Sequence, residues 1–194
     1  MKDSHVATAL AVALLAASVV RADTAAAPDR FTATTTAMTP HDVTLRIDLR
    51  AWSDDAARAA VVAALAPDSD AKKALAGLPT IGHVWQSGSG VGYAVKYAHR
   101  VSTPQGERVT FVTDRRLGSY DLKPWVADAP ASSTELEYSV IELYLNNGSG
   151  DGTLSLAVAV QVDAANALVA LAAGAPHVLA NAKLEPKPYW ANGG

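Results

Sequence analysis

From residue 43 the chain alternates. Val43, Leu45, Ile47 and Leu49 are interleaved with Thr44, Arg46, Asp48 and Arg50, the period-two signature of a strand with one wet face. The period then lengthens. Ala57, Ala60, Val61, Ala64 and Leu65 recur at helical spacing until Pro67 ends the run. At its start, Ser53 offers an acceptor for an orphan amide, and Asp54 and Asp55 stand where the helix dipole favours anions. A shorter helix is predicted from Ser69 or Asp70 to Gly77, with Pro79 just beyond; two turns need packing to persist.

Period two then returns. A weaker strand falls near 80–86. Val91, Tyr93, Val95, Tyr97, His99 and Val101 share one face of the next. Thr103-Pro104-Gln105-Gly106 is turn chemistry, and Val109, Phe111 and Thr113 return on the partner of a hairpin. Residues 136–145 are apolar on both faces, as in a central strand. Asn146-Asn147-Gly148 opens a glycine-rich reversal that closes at Gly152. Leu154, Leu156, Val158, Val160 and Val162 then alternate with Ser155, Ala157, Ala159 and Gln161. Asp163 to Asn166 turn the chain into 167–171, and a last strand covers 177–184. These elements predict an α+β fold, mainly antiparallel β. Its seven or eight strands form a curled sheet, barrel or sandwich, with a two-helix insert after the first strand.

The amino-terminal region reads differently. Lys2 precedes an apolar run from Val6 to Val20, and Val20-Arg21-Ala22 fits a signal-peptidase site, so residues 1–22 are expected to be a secretory signal cut after Ala22. Fifteen residues rise about 22 Å as a helix, short of the roughly 30 Å hydrocarbon core of a bilayer. Residues 23–40 are rich in Thr and Ala, punctuated by Pro28 and Pro40, and are expected to be a flexible lead-in. A single domain then spans 41–190, with 191–194 as a tail.

Lys2, Arg21 and Asp3 leave with the signal, so 16 basic and 19 acidic side chains become 14 and 18, a net charge near −4. Such a surface gives no electrostatic reason to bind nucleic acid or an anionic membrane. The chain has no cysteine, which excludes disulfides, a lipobox and thiolate chemistry. About 170 residues suffice for one core without a staple.

Several segments resemble a family of bacterial exported, signal-peptide-bearing proteins that carries no assigned activity. They are Trp52-Ser53-Asp54, Val91-Gly92-Tyr93-Ala94-Val95-Lys96-Tyr97-Ala98, Val112-Thr113-Asp114-Arg115, Ile141-Glu142-Leu143-Tyr144-Leu145 and Gly150-Asp151-Gly152-Thr153-Leu154-Ser155-Leu156. The likeness spans most of 43–184. It implies an exported address and a single domain, and brings no site residue.

Candidate chemistry is sparse. Gly88, Gly90 and Gly92 lack the third glycine of a dinucleotide fingerprint, where Tyr93 stands, and precede a strand rather than a helix; a hairpin connection explains them. Asn147, Ser149 and Asp151 imitate the start of a calcium loop, but its bidentate carboxylate would fall at Val158. Asn147-Gly148-Ser149 also matches a three-residue glycosylation acceptor. Asp54 and Asp55, neighbours about 100° apart on a helix, suit a helix start better than acid–base work. His41, His83, His99 and His177 show no ligand spacing, and no GxSxG elbow is present. His99 is expected half-buried beside Val95 and Val101.

One loop stands out. Asp114, Arg115 and Arg116 end a hairpin strand, and the segment from about 117 to 134 carries Tyr120, Lys123 and Trp125. Loops this long often serve binding. Asp114, Arg115, Tyr120 and Trp125 are therefore candidate contacts for a small apolar ligand or a protein partner. The plainer reading has Trp125 plugging one end of the fold while Asp114 and Arg115 pair with each other. The sequence as a whole predicts an exported, monomeric, non-enzymatic binding or structural module with no cofactor. Two alternatives remain. One is a hydrolase or isomerase using Glu142, whose place in an apolar strand would raise its pKa. The other is a small outer-membrane barrel, for which 6% aromatic residues leave little for two girdles.

Overall fold

The computed structural model describes residues 29–36, 42–66, 70–118, 138–163, 168–172 and 175–186. Among these residues nine strands form one antiparallel sheet: β1 Asp29–Thr35, β2 Thr44–Leu49, β3 Gly82–Gln86, β4 Gly92–Thr103, β5 Gly106–Thr113, β6 Tyr138–Asn146, β7 Ser149–Val162, β8 Leu168–Ala172 and β9 His177–Glu185. Their order is β6-β5-β4-β3-β2-β1-β9-β7-β8, and β6 also pairs with β7. Eight strands thus close into a barrel, which leaves those strands no free edge. Two helices, α1 Asp55–Ala64 and α2 Ala71–Ala76, connect β2 to β3. The expected mainly antiparallel α+β fold is observed, and closure selects the barrel over the sandwich.

The first strand corrects the expected flexible lead-in and moves the start of the domain from 41 to 29. Residues 29–35 lie between β2 and β9, with Phe31, Ala33 and Thr35 buried and Arg30, Thr32 and Thr34 outward. Threonine is β-branched and suits a pleated surface. Pairing on both edges, one of them to a strand about 150 residues away, offsets the ordering cost that this short segment could not meet alone. The two-helix insert consequently follows the second strand.

Inside the barrel, Phe31, Leu45, Ile47, Val84, Val95, Phe111, Ile141, Leu143, Leu154 and Leu179 form the main core. Phe31 and Phe111 meet edge to face, 5.3 Å between centroids. Eight strands give an interior that side chains can fill, and this cluster packs there. Trp52 closes one end: its ring lies edge-on to Phe31 and under the Arg100 guanidinium, and its Nε1 donates to Asp29.

A β-bulge in β4 changes what that strand presents. Val95 pairs with Thr113 and Tyr97 with Val112, so Lys96 is the extra residue and every later side chain changes face. Tyr93 and Val95 point into the barrel, whereas Tyr97 and His99 point out. The single-face reading of residues 91–101 is corrected at this point. Lys96 turns to the carboxy-terminal end of α2, where its Nζ donates to Leu78 O at 2.9 Å and Thr80 Oγ1 at 3.0 Å.

The helix ends follow local chemistry. Asp54 caps α1, accepting from the Ala57 amide at 2.8 Å, and Asp55 pairs with Arg58. Ser53 instead bonds Ala98 on β4 through its hydroxyl and its amide. Asp70 and Gly77 cap α2 as expected. The β6–β7 reversal is shorter than expected: Asn146 pairs with Ser149, leaving only Asn147 and Gly148, at φ 51° and 77°. Paired positive φ values match the right-handed twist of the hairpin. Gly152 therefore sits inside β7, where a Cβ would lie 2.3 Å from the Glu142 carbonyl oxygen.

Candidate binding site on the outer face of the barrel

A second core lies outside the barrel wall. Val61, Ala64, Leu65 and Leu75 of the helical insert pack with Tyr97, Val112, Tyr138, Val140 and Leu168. β7 explains how Leu168 arrives there. Residues 149–157 pair with β6, the first of them also with β9, and close the barrel, while 159–162 pair with β8. The β7–β8 hairpin folds back over the outer face, bringing Asp163 into an ion pair with Arg108 of β5.

Register then assembles a polar row beneath this cover. His99 is opposite Thr110, Thr110 opposite Glu142, and Glu142 opposite Thr153, so one line crosses β4 to β7 on the outer face. Glu142 is 6% exposed. Among the described residues its Oε1 finds no hydrogen-bond partner, and the same holds for Thr110 Oγ1, His99 Nδ1, Arg108 Nε, Tyr97 Oη and Tyr138 Oη, all on this face. Leaving a buried polar group unpaired costs about 1–3 kcal/mol, so six on one patch of wall form an unusual concentration.

Protonation follows from burial. Desolvation pushes the Glu142 carboxyl above its ordinary range; Arg108 opposes the shift and Asp163 adds to it. Burial lowers His99, helped by the Arg58 guanidinium, and raises the hydroxyls of Tyr97 and Tyr138 to about 12. Tyr144 is raised by burial and by Glu142, its neighbour two residues back on the same face.

Toward the barrel rim, two positions along the strands from this row, lies a pocket of about 420 Å³ between the β4–β5 and β6–β7 turns, within the roughly 300–1,000 Å³ of small-molecule sites. Arg108, Tyr144 and Asp151 form its outer row, since Tyr144 is opposite both of the others in the sheet. Thr103, Gln105, Glu107, Asn146 and Ser149 complete the polar lining. The wall thus grades from helix-covered apolar, through buried polar, to an accessible mixed pocket.

The chain matches no protein-family model, no curated protein and no solved structure. Function is read from this geometry.

Of the residues expected to form a site, the two that are described lie elsewhere. Asp114 and Arg115 pair with each other at 3.1 Å at the end of β5 remote from Arg108, as in the plainer reading of that segment. Tyr120 and Trp125 lie outside the described residues. So do the signal segment, His41 and the tail. Leu117, where the long loop begins, is buried in the barrel core with its amide on Ser139 Oγ. His83 faces outward beside Trp85, and among the described residues no three of His, Asp and Glu converge as a metal site. Glu142 is buried, as its place in an apolar strand implied. Thr110, between Val109 and Phe111, carries the same local signal, whereas Arg108 follows Glu107 and does not. Only the register joins them to Glu142 and Tyr144.

Proposed function

We propose that the chain is an exported β-barrel domain that binds a ligand on its outer face. The rim pocket is the entrance and the His99–Thr110–Glu142 row the floor. The observation that carries this reading is the closeness of that pocket to a patch of buried polar atoms that have no hydrogen-bond partner among the described residues, since a ligand that pairs them recovers their desolvation cost. Packed apolar side chains occupy the barrel interior, which supports a polar ligand on the outer face rather than a small apolar one inside. Export rests on the residue 1–22 pattern. The apolar interior and an exterior bearing Arg30, Arg46 and Asp48 in ion pairs are the reverse of what a lipid-facing barrel requires.

Purification from the periplasm tests both parts. The mature chain is expected to begin at Asp23 by amino-terminal sequencing. Its native mass is expected to exceed its denatured mass, with the excess reduced in Arg108→Ala. A native mass equal to that of the chain, with no thermal shift across a small-molecule library, overturns the binding reading. A second reading is favoured by one observation: Glu142 is a buried carboxyl raised in pKa beside Tyr144, suited to acid–base work. Turnover in a hydrolase or isomerase screen, abolished by Glu142→Gln without loss of fold, would establish it.

A further inference from the structure

We infer that the rim pocket takes a neutral saccharide, bound with a sugar ring against Tyr144; this rests on the binding reading above and specifies its ligand. Tyr144 is 46% exposed although it lies on a strand that is otherwise almost wholly buried. An aromatic face in the open, beside polar side chains, suits a ligand with one apolar face and a polar edge. A pyranose has that form: its axial C–H groups make a flat apolar face and its equatorial hydroxyls a rim of donors and acceptors.

The flanking groups fit the same ligand. Arg108 and Asp151 stand opposite Tyr144 on its two neighbouring strands, putting a guanidinium on one side of the ring and a carboxylate on the other. Vicinal hydroxyls can bridge to a carboxylate's two oxygens. Gln105, Asn146 and Ser149 line the pocket with side chains able both to donate and to accept, as a hydroxyl requires of its partners. Arg108 is itself unsatisfied at Nε, where the atom is buried.

Charge excludes the obvious competitors. Arg108, the cation among the lining residues, is already paired with Asp163, and Glu107 and Asp151 would repel a phosphate or carboxylate ligand. An organic cation is drawn to those two carboxylates but opposed by Arg108 and by Arg100, which pairs with Glu107. A lipid chain would find one exposed ring and no apolar channel. A neutral polyol uses every group present and demands no net charge.

Saturation-transfer NMR on the 23–194 chain provides the test, with cellotetraose, maltotetraose and tetra-N-acetylchitotetraose as saccharide probes and choline as the cationic probe. At least one tetrasaccharide is expected to receive saturation at its ring protons. Its affinity should fall about tenfold or more in Tyr144→Ala, fall less in Asp151→Asn, and persist in Tyr144→Phe. Val178→Ala, at an exposed position of β9, is expected to leave it unchanged. Circular dichroism and the thermal midpoint of each variant separate lost binding from lost fold. Choline binding that needs Tyr144, with no tetrasaccharide bound, overturns the saccharide assignment and leaves the binding reading standing. Saccharide binding that survives Tyr144→Ala overturns the placement. Binding of neither probe class, in a protein whose native mass equals that of the chain, overturns both.

Discussion

Glu142 and His99 share a row and respond to pH in opposite directions. The Glu142 carboxyl holds its proton to higher pH in the fold than in the unfolded chain. As pH rises past its ordinary value of 4.5, the unfolded chain loses that proton first, and stability falls until the raised value is passed. His99 is shifted down, so as pH drops below 6.5 the unfolded chain takes up a proton that the fold resists, and stability falls again. Urea denaturation between pH 4 and 8 is expected to show Glu142→Gln gaining on the wild type as pH rises through the carboxylate range. His99→Asn should gain on it as pH falls below 6.5. Coincident pH profiles for wild type and both variants would mean that neither group is desolvated as described.

At the scale of elements, the β4 bulge performs two tasks through one residue. It turns Tyr97 and His99 outward, and it frees Lys96 to hold the end of α2, a helix of six residues that is too short to stand unaided. Lys96 is 7% exposed, and its ammonium serves backbone carbonyls left over at the helix end. Lys96→Met keeps the apolar stem and removes the donors, leaving the Leu78 carbonyl and Thr80 hydroxyl without their bonds. The expected loss is about 2 kcal/mol, measured as a shift in urea midpoint at unchanged slope. Faster amide exchange should appear across residues 71–78. The bulge was hidden in the sequence because Val91 to Val101 alternates without a break. Both faces of β4 are buried here, one under the barrel core and one under α1, so the apolar pattern tolerates a change of face that a half-wet strand would have displayed.

For the whole molecule, closure is the governing fact. β1 joins β2 to β9, and without it both would present unpaired edges. A chain beginning at residue 37 is expected to lose its monomeric form and associate through those edges, whereas one beginning at Asp23 should elute as a single species in size-exclusion chromatography. Phe31→Ala, which keeps the strand and empties part of the core, should cost about 3–5 kcal/mol and remain monomeric. A residue-37 chain as stable and monomeric as the Asp23 chain would show that β1 is dispensable.

Local pattern was enough for the strands from 43 onward, the two helices with the caps of the second, and the antiparallel hairpins, because each depends on periodicity and turn chemistry within a few residues. The burial of Glu142 was legible for the same reason, its neighbours in the strand being apolar. β1, the change of face at Lys96 and the meeting of Arg108, Tyr144 and Asp151 were not legible. A Thr-rich seven-residue segment carries no local sign of the two partners that order it. Three polar side chains on three strands acquire a common row only when hydrogen-bond register fixes which residue faces which, and register is a property of paired strands that no single strand contains.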